Sequence, residues 1–497
     1  MEQAGRIQFG TAAGRWVVVA AVLGSSVAFL DSTVVNVALP AIGDDLDAGL
    51  SGLQWVLEGY LLTLSALLLL GGSLGDLYGR RRVFVIGLVS FTFASLLCGL
   101  APTTGALIAA RALQGVGGAL LVPGSLSILT ASFRPADRGA AVGAWSGLTG
   151  VFTAVGPFAG GWLVDAVSWR VIFLINVPVA AAAVWVTVRH VPESYDSELD
   201  TRRPDWVGAV LATAGLGGVV YALIEGSARG GLDTPLAIAA GVGAACLVAF
   251  PFVERRRPHP LVPLSIFRSR QFDGANLTTL AVYAAFGGAL FLVVLELQEV
   301  LGYSALEAGT SLLPITLLLL TLSSRAGRVS QRIGPRAFMT LGPLIVGAGL
   351  LLASGIGPGD TYVTGVLPSV VVMGFGMALT VAPLTSAVMA SVDEHHLGVA
   401  SGFNNAVARV GSLLSVAVLP AVAGLGGVAP SSPAFHDGVV QALRLSALLA
   451  VAGGLTSFAL VRKSTPVRVV AQPDLGSACH DPCLRERAEP EAQAQSA

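Results

Sequence analysis

The chain is 497 residues long with a formal net charge of −1, and 54% of its residues are hydrophobic while 12% are charged. Soluble globular proteins carry about 45–50% and about 25% respectively, so the balance excludes a soluble globular protein, and no basic excess points to nucleic acid. The length is better read as a series of membrane spans, each needing about 20 apolar residues.

Apolar runs predict fourteen helices in chain order, at 15–39, 52–72, 83–101, 105–131, 139–164, 170–190, 205–226, 235–253, 272–301, 308–323, 337–356, 364–390, 397–422 and 438–462. Run 308–323 is short and contains Pro314, and 205–226 is close to 235–253, so twelve spans is the alternative count. The fold class is an all-α integral membrane protein. Its segments are an N-terminal arm, 1–14, a six-helix bundle, 15–190, a linker with two extra spans, 191–271, a second six-helix bundle, 272–462, and a tail, 463–497, whose composition predicts disorder. Residues 1–15 lack a small-residue cleavage site, so span 1 is expected to act as an uncleaved anchor.

Lys and Arg concentrate in short cytoplasmic loops. With both termini inside, the inward segments hold Arg80 to Arg82, Arg134, Arg138, Arg202, Arg203, Arg255 to Arg257, Arg325, Arg328, Arg332 and Arg336. Arg170 and Arg229 fall outside, and the first outward loop carries Asp44, Asp45 and Asp47. The chain thus reads as a multi-pass protein of the cell membrane with cytoplasmic termini. Cys98 and Cys246 lie inside spans as small apolar residues, whereas Cys479, His480 and Cys483 of the tail are too few to define a metal clip.

Internal duplication is the strongest organisational signal. Gly72-Ser73-Leu74-Gly75-Asp76-Leu77-Tyr78-Gly79-Arg80-Arg81-Arg82 has a worn copy at Gly327-Arg328-Val329-Ser330-Gln331-Arg332-Ile333-Gly334-Pro335-Arg336. A second pair, Gly139-Ala140-Ala141-Val142-Gly143 and Gly398-Val399-Ala400-Ser401-Gly402, maps span 5 onto span 13 as the first maps span 2 onto span 10. Repeated halves are characteristic of transporters, and they leave spans 7 and 8 as an insertion between two six-helix units.

Several motifs in order resemble those of a known family. Residues 72–82 are similar to the signature loop between helices 2 and 3 of major facilitator transporters. Leu30-Asp31-Ser32-Thr33-Val34-Val35-Asn36-Val37-Ala38-Leu39-Pro40, Arg111-Ala112-Leu113-Gln114-Gly115, Gly156-Pro157-Phe158-Ala159-Gly160-Gly161 and the stretch from Trp169-Arg170 through Asn176-Val177-Pro178 resemble motifs of the fourteen-helix drug:proton antiporter branch. The resemblance covers roughly 15–462. It implies a major facilitator fold that exports amphipathic drugs or antibiotics in exchange for protons, with no cofactor, no metal and no enzymatic activity, working as a monomer. Gly156, Pro157, Gly160 and Gly161 would be its antiporter motif, and Arg111 would take part in proton coupling. One Lys, Lys463, among abundant Arg, Ala, Gly and Val suggests a GC-rich genome, so antibiotic self-resistance in a bacterium would fit.

The residues also carry physical readings of their own. Asp31 and Glu58 fall in the outer halves of adjacent spans, and a carboxyl that loads a proton outside and releases it inside is what proton antiport requires; were the two to face each other, they would titrate as a pair. Arg111 lies well inside span 4, where an unpaired charge costs about 2.5–3.5 kcal/mol on insertion scales, so it should find a partner in the bundle. Asp76, ahead of three arginines, is expected to act with Gly72, Gly79, Arg80 and Arg81 as a gate at the cytoplasmic end, pairing with arginine or facing a helix N-terminus. The copy has Gln331 there, which predicts an asymmetric gate. Gly156-Pro157 is expected to bend span 5. Asn36, Gln114, Glu296, Gln298, Asn404 and Asn405 are the candidates for lining a substrate cavity, while Arg409 in span 13 argues against strongly cationic, multivalent substrates.

The alternatives are testable. ATP-driven export needs a phosphate-binding loop ending in Gly-Lys-Ser/Thr, but the only lysine follows Arg462, which leaves an ion gradient as the energy source. No catalytic signature of a membrane hydrolase is present. Transport of another small metabolite, uptake by symport and a non-transporting receptor on the same fold are the remaining readings; a receptor would dispense with the intramembrane acids.

Overall fold

The computed structural model describes residues 7–195, 204–257, 260–357, 359–393, 397–430 and 432–462. The tail at 463–497, with its Cys479-to-Cys483 segment, Arg202, Arg203 and the first six residues lie outside the described residues. Helices long and apolar enough to span a membrane number fourteen among those described, not twelve. In order they are α1 (Ala12–Leu46), α2 (Leu50–Tyr78), α3 (Arg80–Gly99), α4 (Thr104–Ser132), α5 (Pro135–Ala166), α6 (Val171–His190) and α7 (Trp206–Ala228). There follow α8 (Thr234–Glu254), α9 (Arg270–Glu299), α10 (Ala305–Ile333), α11 (Pro335–Ala353), α12 (Tyr362–Met389), α13 (Leu397–Val422) and α14 (Pro433–Leu460).

Local chemistry sets the ends. The Thr11 hydroxyl caps α1 by accepting from the Gly14 amide at 3.1 Å, and Ser304 and Glu307 form a reciprocal capping box at the start of α10. The tenth span, the shortest of the sequence expectations, is much longer than 308–323. It begins at the Ser304 cap, is interrupted at Leu312 just before the Leu313-Pro314 turn, and continues through Arg325, Arg328 and Arg332 after its apolar run ends. Hydropathy alone misses that polar extension because helical backbone bonding does not stop where lipid does.

The helices alternate in direction, so each end of the bundle has its own set of loops. The 72–82 loop and its copy share one end, called here the arginine end; the opposite end holds the chain reversals at 47–49, 167–170 and 300–304. At this opposite end a single apolar core draws on both halves, joining Leu39, Ile42 and Phe173 to Phe291, Leu350 and Phe435. Towards the arginine end the core divides. Phe84, Phe91 and Phe133 pack within the first half, and Phe272, Met339 and Leu384 within the second, with Ala406 and Leu69 of the opposite halves at their margins.

Hydrogen bonds follow the same division. The Gln54 side chain donates to the Val416 carbonyl at 2.6 Å, Gln298 donates to the Val37 carbonyl at 3.0 Å, and Asp165 accepts from the Ala305 and Leu306 amides at 3.2 and 2.9 Å. These bonds tie α2 to α13, α9 to α1 and α5 to α10, and each sits near the opposite end. Gly161 makes the last of these approaches possible, since a Cβ there would lie 2.5 Å from the Ala305 carbonyl oxygen.

Helix α7 fills a seam between the halves: Leu216, Val220 and Ile224 pack with Ala66 of α2 and Leu413 and Ala417 of α13. Trp55 adds a hydrogen bond from its indole to Glu225 at 3.1 Å. Helix α8 lies outside α7 and leaves Ile238, Val242, Val248 and Phe252 exposed, as a face turned to lipid does. Exposed Ile86, Phe93, Trp162, Trp185 and Phe458 extend the apolar belt around the molecule.

The duplication is visible in backbone geometry. Gly79 (φ 105°) ends α2 and begins α3, and Gly334 (φ 93°) does the same between α10 and α11. Both conformations are strained for any residue with a Cβ. Gly79→Ala and Gly334→Ala are each expected to cost about 1–3 kcal/mol, seen as a lowered Tm of the purified chain in detergent. Gly139→Ala, in a helical segment with open space around its Cβ, is the control that should leave Tm unchanged.

Candidate functional site

Four helices of the first half bring their polar residues to one buried point. Asp31 of α1, Ser95 of α3, Arg111 and Gln114 of α4 and Asn176 of α6 are each at most 1% exposed. Arg111 Nη1 lies 2.5 Å from Asp31 Oδ2 and donates to Gln114 Oε1 at 2.5 Å. Gln114 Nε2 donates to Asp31 Oδ1 at 2.8 Å and to Ser95 Oγ at 2.7 Å. Asn176 Nδ2 reaches the same two acceptors at 3.2 and 3.0 Å. Arg111 Nε donates to the Val56 carbonyl at 3.0 Å, and the guanidinium carbon lies 4.4 Å from the centre of the Tyr60 ring.

Each partner answers a specific cost. A guanidinium inside the bundle must be neutralised, and Asp31 does so; the carboxylate's second oxygen needs donors, and Gln114 and Asn176 supply them. Arg111 and Gln114 are three residues apart and therefore share a face of α4. The expected partner for Arg111 is thus Asp31.

Glu58 occupies a different environment. It is 0% exposed and neither carboxyl oxygen has a hydrogen-bond partner. It lies one turn from Gln54 on the same face of α2, the face bonded to α13. Asp31 and Glu58 therefore do not form the facing pair considered from sequence: Asp31 is held by Arg111, and Glu58 stands apart towards the junction of the halves.

The 72–82 loop is held within its own half. Asp76 accepts from Arg80 Nε at 2.8 Å, one turn away. Glu193, beyond α6, caps the first turn of α3 by accepting from the Arg81 and Arg82 amides at 3.0 and 3.2 Å, and lies 3.7 Å from Arg81 Nε. Of the two arrangements considered for Asp76, the pairing with arginine is the one present, and the helix N-terminus is filled by Glu193. Gln331 in the copy is exposed.

The antiporter-motif stretch continues as helix through Pro157. Gly160 lies against Val34 of α1, while Gly161 faces α10.

The six cavity candidates disperse. Gln114 belongs to the buried Asp31 cluster, and Gln298 bridges the halves. Glu296 is hydrogen-bonded to His436 of α14 and is 5% exposed. Asn404 donates to Asn276 and Thr279 at 3.1 and 2.7 Å, tying α13 to α9. Asn36 is half-buried and bonds the Ser32 carbonyl of its own helix. Only Asn405 among the six is exposed, and it accepts from Arg409 Nε at 2.9 Å. A polar residue in a span cannot be assigned to cavity or to helix contact without knowing which way its helix turns. Sequence reasoning missed Ser95, Glu193 and His436, which stand in no charged motif; Asn176 stood in a recognised stretch without an assigned contact.

Fourteen spans, two pseudo-symmetric six-helix halves and a buried charge cluster at the heart of one half define a multi-pass membrane transporter rather than an enzyme. The model of the Major Facilitator Superfamily matches residues 21–416, and the chain belongs to that superfamily. It is 36% identical over 480 residues to the puromycin resistance protein pur8 of Streptomyces alboniger, covering 94% of each chain. It is 35% identical over 401 residues to the multidrug resistance protein Stp of Mycobacterium tuberculosis, spanning 80% of this chain and 74% of that one. With the probable actinorhodin transporter of Streptomyces coelicolor it shares 36% identity over 435 residues, 82% of this chain and 74% of the other. A bacterial homologue of the human lysosomal transporter Spinster, solved inward-facing and occupied, shares the fold with a TM-score of 0.65 at 16% identity, over 93% of this chain and 100% of that one.

Removing one member of a buried ion pair leaves the other unpaired and costs about 3–5 kcal/mol. Arg111→Ala is therefore expected to lower Tm sharply, and adding Asp31→Asn to it should recover part of the loss. An equal or greater loss in the double variant would show that the two charges do not act as a pair.

Proposed function

We propose that this protein exports amphipathic drugs or antibiotics across the cytoplasmic membrane in exchange for protons, by alternating access between its two halves. The observation that carries the reading is the Asp31–Arg111–Gln114 cluster: a carboxylate buried in a membrane span, with its charge cancelled by one arginine and its oxygens saturated. Relatives that are named as resistance and export proteins support the substrate class.

In this reading a proton is the competitor of Arg111. When Asp31 takes a proton its charge is lost, the ion pair dissolves, and Arg111 retains Gln114, the Val56 carbonyl and the Tyr60 face as partners. The packing of α1, α3, α4 and α6 depends on that pair, so protonation changes the energy balance between two arrangements of the first half. Glu58, buried without a partner beside α13, is a second carboxyl poised to hold a proton until the junction opens. One charge moved through 100 mV contributes about 2.3 kcal/mol to such a cycle.

The arginine end is taken as cytoplasmic from the bias of Arg in its loops. The hydrogen bonds Gln54–Val416, Gln298–Val37 and Asp165–Ala305 then close the outer end, which corresponds to a cytoplasm-facing state. The halves 15–190 and 272–462 act as the moving bodies and 191–271 as a connector whose helix α7 rides in the seam. The chain works as a monomer, with no cofactor beyond the proton gradient. The Asp76–Arg80 and Glu193–Arg81 contacts hold the shape of the cytoplasmic loop.

In everted vesicles carrying the wild-type chain, addition of an exported drug should release protons from the vesicle interior. Asp31→Asn, at equal membrane levels, should reduce both drug accumulation and proton release at least tenfold. Unaltered transport by that variant would overturn the coupling role, and proton uptake in place of release would indicate symport.

A further inference from the structure

Arg409 stands halfway along α13, inside a span as Arg111 is. Among the described residues no carboxylate forms an ion pair with Arg409. The Arg409 Nε–H donates to Asn405 Oδ1, and among the described residues its other four N–H groups have no protein acceptor. Tyr60 of α2 and Tyr283 of α9 are the ionisable groups that act on it electrostatically among the described residues. The side chain is half-buried, and its partner Asn405 is exposed.

The flanking residues place the side chain. Ala406 packs on the first-half core that contains Tyr60 and Leu64, Val410 packs with Leu62 and Leu216, and Gly411 lies against Tyr283 of α9. Arg409 therefore sits at the seam where α13 meets α2 and α9, between the two halves, in space that solvent reaches. A guanidinium fixed through one N–H keeps a planar fork of donors free, and that fork matches a carboxylate or another planar oxyanion.

We propose that Arg409 is the substrate-recognition cation of this transporter, and that the seam takes amphipathic molecules bearing an acidic group in preference to neutral or cationic ones. The proposal rests on the export reading and adds the substrate class to it. Tyr283 of α9, half-buried beside Gly411, puts an aromatic ring on this seam, which suits an acid attached to a flat apolar body. A permanent cation would meet an uncompensated positive charge at the same point, and repulsion of that kind excludes ligands as effectively as attraction selects them.

The test uses the full-length chain in detergent and three fluorescent probes sharing one dansyl body: dansyl-phenylalanine, its methyl ester, and a dansyl quaternary amine. The wild type should bind the carboxylate about tenfold or more tighter than the ester, and the quaternary amine weakest. Arg409→Gln should remove the preference while leaving ester affinity within about twofold and Tm unchanged; Arg409→Lys should restore part of it. Equal or absent binding of carboxylate and ester by the wild type, preferential binding of the quaternary amine, or an unchanged preference in Arg409→Gln would overturn the proposal. Proteoliposome transport separates the two readings: a preference abolished by Arg409→Gln without proton-coupled movement counts against export and leaves the recognition role standing.

Discussion

The pairing of Asp31 with Arg111 is the interaction around which the first half is built. Neither charge is tolerable alone at 0–1% exposure inside a membrane bundle, and their mutual neutralisation is complete only because Gln114, Asn176 and Ser95 occupy the remaining hydrogen-bonding positions. Those five residues come from α1, α3, α4 and α6, so one electrostatic requirement fixes the relative rotation of four helices. Tyr60 covers the guanidinium and extends the constraint to α2. Loss of either charge would leave the other buried without its counter-ion.

The second half is organised differently. Its polar contacts are helix-to-helix bonds such as Asn404 with Asn276 and Thr279, and the Glu296–His436 contact between α9 and α14. The mid-span arginine of α13, Arg409, is held by an amide rather than an acid. Charge is thus closed within the first half and left open at the seam. In the proposed exchange, that asymmetry between duplicated halves would separate a proton site from a ligand site.

The join between the halves differs from one end of the bundle to the other. A shared apolar core and backbone-directed hydrogen bonds hold one end, and separate cores serve the other. Bonds that use a carbonyl or amide as one partner, such as Gln54 to Val416, part without stranding a buried charge. Helix α7 contributes Leu216 and Val220 to the seam and so adds apolar contact there without adding an ionic lock.

Apolar run length pointed to fourteen spans over the alternative twelve, the repeated loop to two related halves and the ordered motifs to the superfamily, because lipid and duplication leave marks that can be read along the chain one residue at a time. Sequence also identified Asp31 and Arg111 as residues in need of explanation. It did not determine that they explain each other, that Glu193 rather than Asp76 caps α3, or that Gln114 is buried in the cluster while Asn405 is exposed. Those outcomes depend on helix rotation, and a rotation of half a turn exchanges a residue between cavity, neighbouring helix and lipid without altering hydropathy. Only the packed bundle decides which polar groups meet.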